Sequence, residues 1–282
     1  MDNEVPMKRS YYIEQMRNWI NRHSHLPKDF DDLVLYRFVH SCYFDIEKAK
    51  ATLEKFSTIR ASAPELFGNR NLEAGPLKVQ ASVVDTCVYD ISNNRKLLVW
   101  QINDPGFDIY NYVSDCKLFT MMFDMYLLTE ADVKDGVVAM LDAKDINYKF
   151  MRTLNLFISK KILKYQLESL PVRIQQLHVV NATPIMETVL TAFKPFMSRE
   201  IIDMLKFHSP SSNSLFEHLK KEDVPSDYGG TLPSVEVKKH EIYDKLKEIG
   251  DVIYKDDLWA AIGKKDIDLS MDNGSFRTLD FD

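Results

Sequence analysis

Seven histidines and three cysteines are the residues here best suited to metal binding or nucleophilic chemistry, and their spacing supports neither. His23 and His25 lie near a helix end with no matching ligands, and no H-E-x-x-H pair occurs. Cys42, Cys87 and Cys116 are odd in number and far apart, so neither a disulfide framework nor a paired-cysteine zinc site is indicated. The chain has no G-x-S-x-G elbow to present a serine, and no G-x-G-x-x-G or Walker A loop to cradle phosphates. His178, within "LHVVNA", has no nucleophile to activate and reads as a hydrogen-bonded structural histidine. Asp142 and Asp145 close an apolar run, where open sheets place ligands; without a partner motif they read as turn and cap residues. The expectation is a protein that is not an enzyme and needs no metal or cofactor.

The unusual chemistry is apolar. In "ETVLTAFKPFM" (187–197), Val189, Leu190, Phe193, Phe196 and Met197 share one helical flank, and Pro195 ends or kinks the helix. Five large side chains, at roughly 1.5–3 kcal/mol each when fully buried, are costly to leave in water. Periodicity alone fits both a permanently packed core helix and a lid that opens. With 16 Phe, 13 Tyr and 12 Met, the composition suits a well-packed core or an adaptable pocket. A net charge of −6 argues against a general nucleic-acid binder. The N-terminal stretch lacks the apolar segment of a secretory signal, and no apolar run approaches the roughly 18 residues needed to span a bilayer. A soluble cytoplasmic protein is expected.

These residues need a scaffold. Three helices open the chain: "SYYIEQMRNWINRH", then "DFDDLVLYRFVHSC" with Asp29 as cap, then "DIEKAKATLEKFSTIRAS" beginning at Asp45. Pro64, Gly68, Gly75 and Pro76 break the pattern and mark a domain boundary at about residue 75. "KLLVWQI", flanked by "SNN" and "NDPG", reads as a buried strand. A helix over 110–131 follows, then a strand "DGVVAMLDA", one long helix over 147–170, and a third strand "VRIQQLHVVNA". Strands alternating with helices predict an α/β domain with parallel neighbours. The greasy flank comes directly after the third strand.

At this point "LVLYRFVHSCYFDIEKAKATLEKFSTIRASAPELF" resembles the amino-terminal helical module of the CRAL-TRIO lipid-transfer family. "LHVVNATPIMETVLTAFKPFMSREIIDMLKFHS" resembles that family's strand and lid. "EDVPSDYGGTLPS" is similar to its L-P-x-x-Y-G-G element, with Val224 in place of Leu. The likeness runs from Leu33 to Pro233, is nearest the group holding α-tocopherol transfer protein and cellular retinaldehyde-binding protein, and in the tail "GSFRTLDFD" looks insect-like. It implies an amino-terminal helical module (1–75) and a mostly parallel sheet with flanking helices enclosing an apolar pocket under a helical gate (76–233). A C-terminal helix and tail (234–282) complete the chain.

By the same resemblance the gate runs from Pro184 to about Phe207 and offers Met186, Val189, Leu190, Phe193 and Met197 to the ligand. Phe119, Phe123 and Cys116 come from the helix after the first strand, and Val137, Ala139 and Leu141 from the second strand. Leu154, Ile162, Tyr165 and Gln166 come from the long helix, and Leu177 from the third strand. Tyr165 and Gln166 are the expected polar anchors. The implied ligand is small and hydrophobic: a retinoid, tocopherol, carotenoid or terpenoid hormone. The implied partners are that ligand and, transiently, a membrane surface met by the gate with Lys194, Arg199 and Lys206; a monomer is expected.

The family's headgroup-binding cations are thin here. Arg37 and Arg173 remain, while further basic positions read His40, Cys42, Gln175, Glu200 and Met204. Since phosphoinositide recognition needs several converging cations, weak headgroup selectivity is expected. The "DYGG" glycines are expected to supply positive φ in a tight turn. The competing expectation is a membrane-recruited, lipid-sensing adaptor that uses "EVKKHEIYDKLKEIGDVIY" and the acidic tail as contact surface.

Overall fold

The structure, a computed structural model, describes residues 4–263. Helices α1 (Glu4–Arg22), α2 (Asp32–Ser41) and α3 (Ile46–Ser62) form the amino-terminal module. Met16, Ile20, Val34, Leu35, Phe38, Ala49, Leu53 and Phe56 are withdrawn from water and form its core. Asp45 caps α3 by accepting from Lys48 N at 3.0 Å. The cap of α2 is Asp31 rather than Asp29: a cap must lie about three residues before the amide it serves, and Asp31 accepts from Val34 N at 2.8 Å.

The breaker segment is more ordered than its prolines and glycines predict, holding two short helices, α4 (Pro64–Phe67) and α5 (Gly75–Gln80). A hairpin of β1 (Val84–Ile91) and β2 (Arg95–Ile102) follows. Sequence reasoning missed β1, because its residues are buried on both faces and show no clean alternation. Its turn was legible: Asn93 and Asn94 both take positive φ, as tight hairpin turns require.

Next come α6 (Tyr112–Thr129), β3 (Gly136–Asp142), α7 (Tyr148–Thr153) and α8 (Leu156–Lys164), the last continued by a wide π turn over Tyr165–Ser169. The expected single long helix is thus broken. Leu154 is extended, and Asn155 restarts the helix by accepting from the amides of Phe157 and Ile158 at 3.1 Å. Then come β4 (Ile174–Val180), α9 (Ile185–Phe193), a 3-10 turn Lys194–Phe196, α10 (Arg199–Met204) and β5 (Leu205–Phe207). The chain closes with α11 (Val235–Glu248) and α12 (Gly250–Ile253).

The sheet order is β1-β2-β3-β4-β5, with β2 to β5 parallel and β1 antiparallel at the edge. One face carries Leu97, Val99, Val138, Met140 and Val180, covered tightly by Leu215, Leu219, Val224 and Val235. The other face carries Leu98, Trp100, Ala139, Leu141 and Val179 beneath α6, α8 and α9. This second face positions the site.

The "DYGG" turn divides its labour. Gly229 has φ of 83°, as expected. Gly230 does not; it is small because a Cβ there would lie 1.9 Å from the Val224 carbonyl oxygen. Tyr228 donates to Asp142 at 3.1 Å, and Asp142 also accepts from Gln101, Asn181 and the Lys144 amide. Both oxygens of Asp142 are therefore occupied in bracing the carboxyl end of β3.

The C-terminal segment packs on the body. Ile242, Leu246 and Ile253 are buried, and Trp259 stacks on Phe30 of the amino-terminal module at 5.7 Å. α11 thus turns Val235, Ile242 and Leu246 to the body and leaves its charged side, with Val237, in water. The acidic tail named as adaptor contact surface lies outside the described residues.

Candidate functional site

Beneath α9 and the strands lies a partly open cavity of about 310 Å³ whose lining is almost wholly apolar. Its floor is built by register: Leu98 pairs with Ala139, Trp100 with Leu141, Leu141 with Val179, and Val179 with Phe207. Because side chains alternate across a strand, those residues project to one side. On α6, Tyr112, Asp115, Cys116 and Phe119 recur at intervals of three and four and so share a face. Ile146 and Phe150, then Ile162 and Leu163 of α8, close the wall, and Gln166 enters from the π turn. Met186, Val189, Leu190, Phe193 and Met197 form the lid.

Of the residues expected to meet a ligand, the structure brings together Cys116, Phe119, Ala139, Leu141, Ile162, Gln166, Met186, Val189, Leu190, Phe193 and Met197. Five others lie elsewhere. Phe123 and Val137 border a separate void of about 20 Å³ with Met122 and Tyr126. Leu154 sits in the break between α7 and α8 and packs on the core. Leu177 holds the right parity on β4 but does not border the cavity.

Tyr165 is the clearest correction. It is fully buried against Phe56 and Phe67, and its hydroxyl accepts from Arg60 at 3.0 Å. Tyr165 keeps the α-helical register of α8, its amide donating to the Lys161 carbonyl, and its side chain falls on the flank packed against α3, while Gln166, next in the chain, borders the chamber.

The expected headgroup cations are also committed elsewhere. Arg37 is buried and donates to the carbonyls of Leu127 at 2.8 Å, Asp132 at 3.2 Å and Glu130. Arg173 donates to the His40 carbonyl and lies 4.0 Å over the Tyr43 ring. Both tie the amino-terminal module to the sheet domain. They act as clamps between the two.

Sequence reasoning missed Leu98, Trp100, Tyr112, Asp115, Ile146, Phe150, Leu163, Val179, Leu205 and Phe207. The first two were signalled by parity within "KLLVWQI". Asp115 carried a signal too: a carboxylate on the face of α6 that also presents Tyr112, Cys116 and Phe119. Trp100 Nε1 donates to it at 3.1 Å and the Tyr110 hydroxyl at 2.8 Å. Burial pushes its carboxyl up to about 6 against those two bonds and the nearby Gln80 amide. Among the described residues, no Lys, Arg or His borders the cavity.

The flap is held differently from the floor. Its polar side-chain contacts are local: Thr191 to the Glu187 carbonyl, Ile201 N to Ser198 Oγ, Lys206 to the Asp203 carbonyl, and Arg199 near Asp203 at 3.8 Å. The sequence reading carried the gate to about Phe207, with Pro195 ending or kinking its helix, and foresaw no strand there. Instead Leu205–Phe207 is the short edge strand β5, whose Leu-Lys-Phe alternation lets Leu205 and Phe207 face the cavity. Behind it His208 is buried, bonded to His178 at 2.9 Å and to Ser214 at 2.8 Å, with the His218 ring 5.9 Å away. Burial first, then the neighbouring imidazoles, lower His178 to about 4. Among the described residues, no group of His, Cys, Asp or Glu is placed to hold a metal ion. A second concavity of about 510 Å³ lies between the α4–α5 segment and α6; its rim of Glu65, Asn69, Asn71 and Lys117 makes it a wet surface groove.

An apolar chamber on one face of a mostly parallel sheet, roofed by the segment after β4, agrees with the family description that matches residues 92–230, "CRAL/TRIO domain". This chain belongs to the CRAL-TRIO family. The description "Pinta-like, UBA domain" matches residues 5–76, the helical module that precedes the CRAL-TRIO domain. "Alpha-tocopherol transfer protein-like" of Homo sapiens is 26% identical over 231 residues, covering 81% of this chain and 67% of that protein. "Clavesin-1" of Xenopus laevis is 22% identical over 236 residues, covering 82% and 70%. The crystal structure of Sfh5 superposes with a TM-score of 0.52 at 14% identity, over 87% of this chain and 96% of that one, which supports the CRAL-TRIO fold. CRAL-TRIO proteins bind and transfer lipids. Among the described residues of this member, no helix is long and apolar enough to cross a membrane.

Proposed function

We propose that this protein binds a small, isoprenoid-like hydrophobic molecule in the chamber and carries it between membranes without chemical change, residues 76–233 forming the ligand unit. The observation that carries this reading is an apolar cavity closed by a segment with only local polar ties. At about 310 Å³ the cavity is at the small end for ligand sites, which favours a slim ligand over a two-chain phospholipid. The outer side of the flap exposes Lys194, Arg199 and Lys206, and Leu156 and Phe157 stand half-exposed at the start of α8. Cations beside exposed apolar side chains suit a brief stay at a bilayer surface, where the apolar flank would lose little on opening.

Native mass spectrometry of the purified protein should find one hydrophobic ligand per chain, and donor-to-acceptor vesicle assays should show it moving. Phe193→Asp should abolish loading with a change in unfolding temperature of only a few degrees, because Phe193 is half-buried on the flap. Retention of ligand with no movement between vesicles would replace the carrier by a lipid-sensing adaptor. A chamber that takes up no hydrophobic molecule removes both.

A further inference from the structure

One group in the chamber is out of keeping with the rest. Asp115 lies on α6 between Tyr112 and Phe119, at the wall of a cavity otherwise lined by hydrocarbon, aromatic rings and the amide of Gln166. It is half-buried and borders the cavity. Two donors fix its orientation, the Trp100 indole on one oxygen and the Tyr110 hydroxyl on the other. The Gln80 side-chain amide also lies close, so of a carboxylate's roughly four acceptor positions at least one remains for a ligand. Unspent acceptor capacity in a dry cavity is costly unless a ligand supplies a donor.

We propose that Asp115 selects the ligand's polar end: the chamber accepts a lipid that ends in a hydroxyl and rejects one that ends in a carboxylate. This rests on the reading of the chamber as a ligand site. A hydroxyl donates to the free lone pairs of Asp115 and becomes a charge-assisted bond. A lipid carboxylate brings a second negative charge beside the first, and no cation borders the cavity among the described residues to offset it. The other titratable groups around Asp115 are Tyr110, Tyr112, Cys116 and Tyr243, and burial raises the pKa of each, so all stay neutral. Asp115 is the charge that discriminates.

The test offers the protein an equimolar mixture of retinol, retinoic acid, farnesol and farnesoic acid, and reads the retained species by native mass spectrometry. At pH 7.5 the wild type should retain each alcohol at least about tenfold over its acid, since like charges brought together cost heavily. Asp115→Asn keeps one oxygen to accept from Trp100, presents an NH2 from which the Tyr110 hydroxyl can accept, and removes the charge; it should bring the ratio to within about threefold. A merely structural role would weaken alcohol and acid alike and leave the ratio unmoved. Lowering the pH from 8 to 5 should also flatten the wild-type ratio as Asp115 protonates near 6. Protonation of the acids themselves occurs equally with the variant, so the difference between the two proteins isolates Asp115. Equal retention of alcohols and acids by the wild type, or an unchanged ratio in the variant, overturns the selection while leaving the carrier reading intact. Retention of none of the four overturns both.

Discussion

The chamber has two unlike walls. The fixed wall is anchored by a buried charge node in which Arg60 of α3 clasps Asp124 of α6 with both terminal nitrogens, at 2.8 and 2.7 Å. The same guanidinium donates to Tyr165 of the π turn and, at 2.7 Å, to the Leu258 carbonyl. Arg70 reaches Asp124 at 2.5 Å. One cluster thus joins the amino-terminal module, the chamber-lining helix α6 and the C-terminal segment. The wall proposed to move, α9 to β5, has no comparable node among the described residues: its polar side-chain ties are internal, and its last three residues pair with β4 alone. Burying charge makes a wall rigid because any displacement strands an ion in low dielectric. Burying only methyls and rings leaves a wall that can be lifted if oil meets it on the other side.

The largest effect should come from breaking the node. Burial favours the neutral form of Asp124, yet the two guanidiniums hold its carboxyl below the ordinary range, so it is charged at any working pH. Asp124→Ala would leave Arg60 and Arg70 buried without a counter-charge, at a cost of roughly 3–5 kcal/mol. Urea denaturation should show a correspondingly large loss, in contrast with the few-degree effect of Phe193→Asp on the flap. A loss under about 1 kcal/mol would mean the two walls do not differ in kind.

This contrast was only half legible in the sequence. The flap announced itself, because Val189, Leu190 and Phe193 recur at helical spacing directly after an apolar strand. The node did not: Arg60, Arg70, Asp124 and Tyr165 are scattered over more than a hundred residues, and nothing in their local context marks them as partners. Spacing puts Tyr165 on the apolar side with Ile162, but that side is shared between the chamber and α3, and Tyr165 falls to the α3 half against Phe56 and Arg60. Strand parity did predict Ala139 and Leu141 as floor residues, whereas Val137, with the same parity, lies one pleat beyond the cavity and opens on the smaller void. Local periodicity fixes which face a residue takes. How far the cavity extends along that face depends on residues distant in sequence.

A middle-sized effect should appear where the two walls meet. His178 on β4 is buried and bonded to His208, directly after β5, and the groups facing the pair are His218, Lys206 and Glu217. The folded-state value of His178, about 4, is below the ordinary 6.5, so between those values the unfolded chain binds more protons than the folded one. The stability contributed by this buried neutral pair is complete above about pH 6.5 and is lost as pH falls toward 4, by roughly 2 kcal/mol near pH 4.5. His40, also lowered to about 4 by burial and by Arg173, titrates in the same window, so a global melt reports both. Hydrogen exchange separates them. Amides of 205–208 should lose protection on acidification in the wild type, and the loss should be smaller in His178→Gln. Uniform exchange across the sheet at pH 5 would place the weak point elsewhere.

The smallest effect concerns the outer edge of the fixed wall, where Arg173 meets the amino-terminal module. A cation free to bind lipid phosphate must be able to turn outward. Arg173 is instead half-buried, stacked on Tyr43 and donating to the His40 carbonyl, and burial lowers its pKa. Turning it outward would cost the stacking, about 0.5–1 kcal/mol, and a charge-assisted bond of about 1.5–3 kcal/mol. Arg173→Ala should therefore lower stability by about 2 kcal/mol, the low end of those two losses because the side chain is only half-buried, and leave vesicle binding nearly unchanged, with phosphoinositide added to phosphatidylcholine making less than about a twofold difference. Strong phosphoinositide-dependent binding that disappears in Arg173→Ala would show that the clamp opens at a membrane. The fixed wall would then move as well.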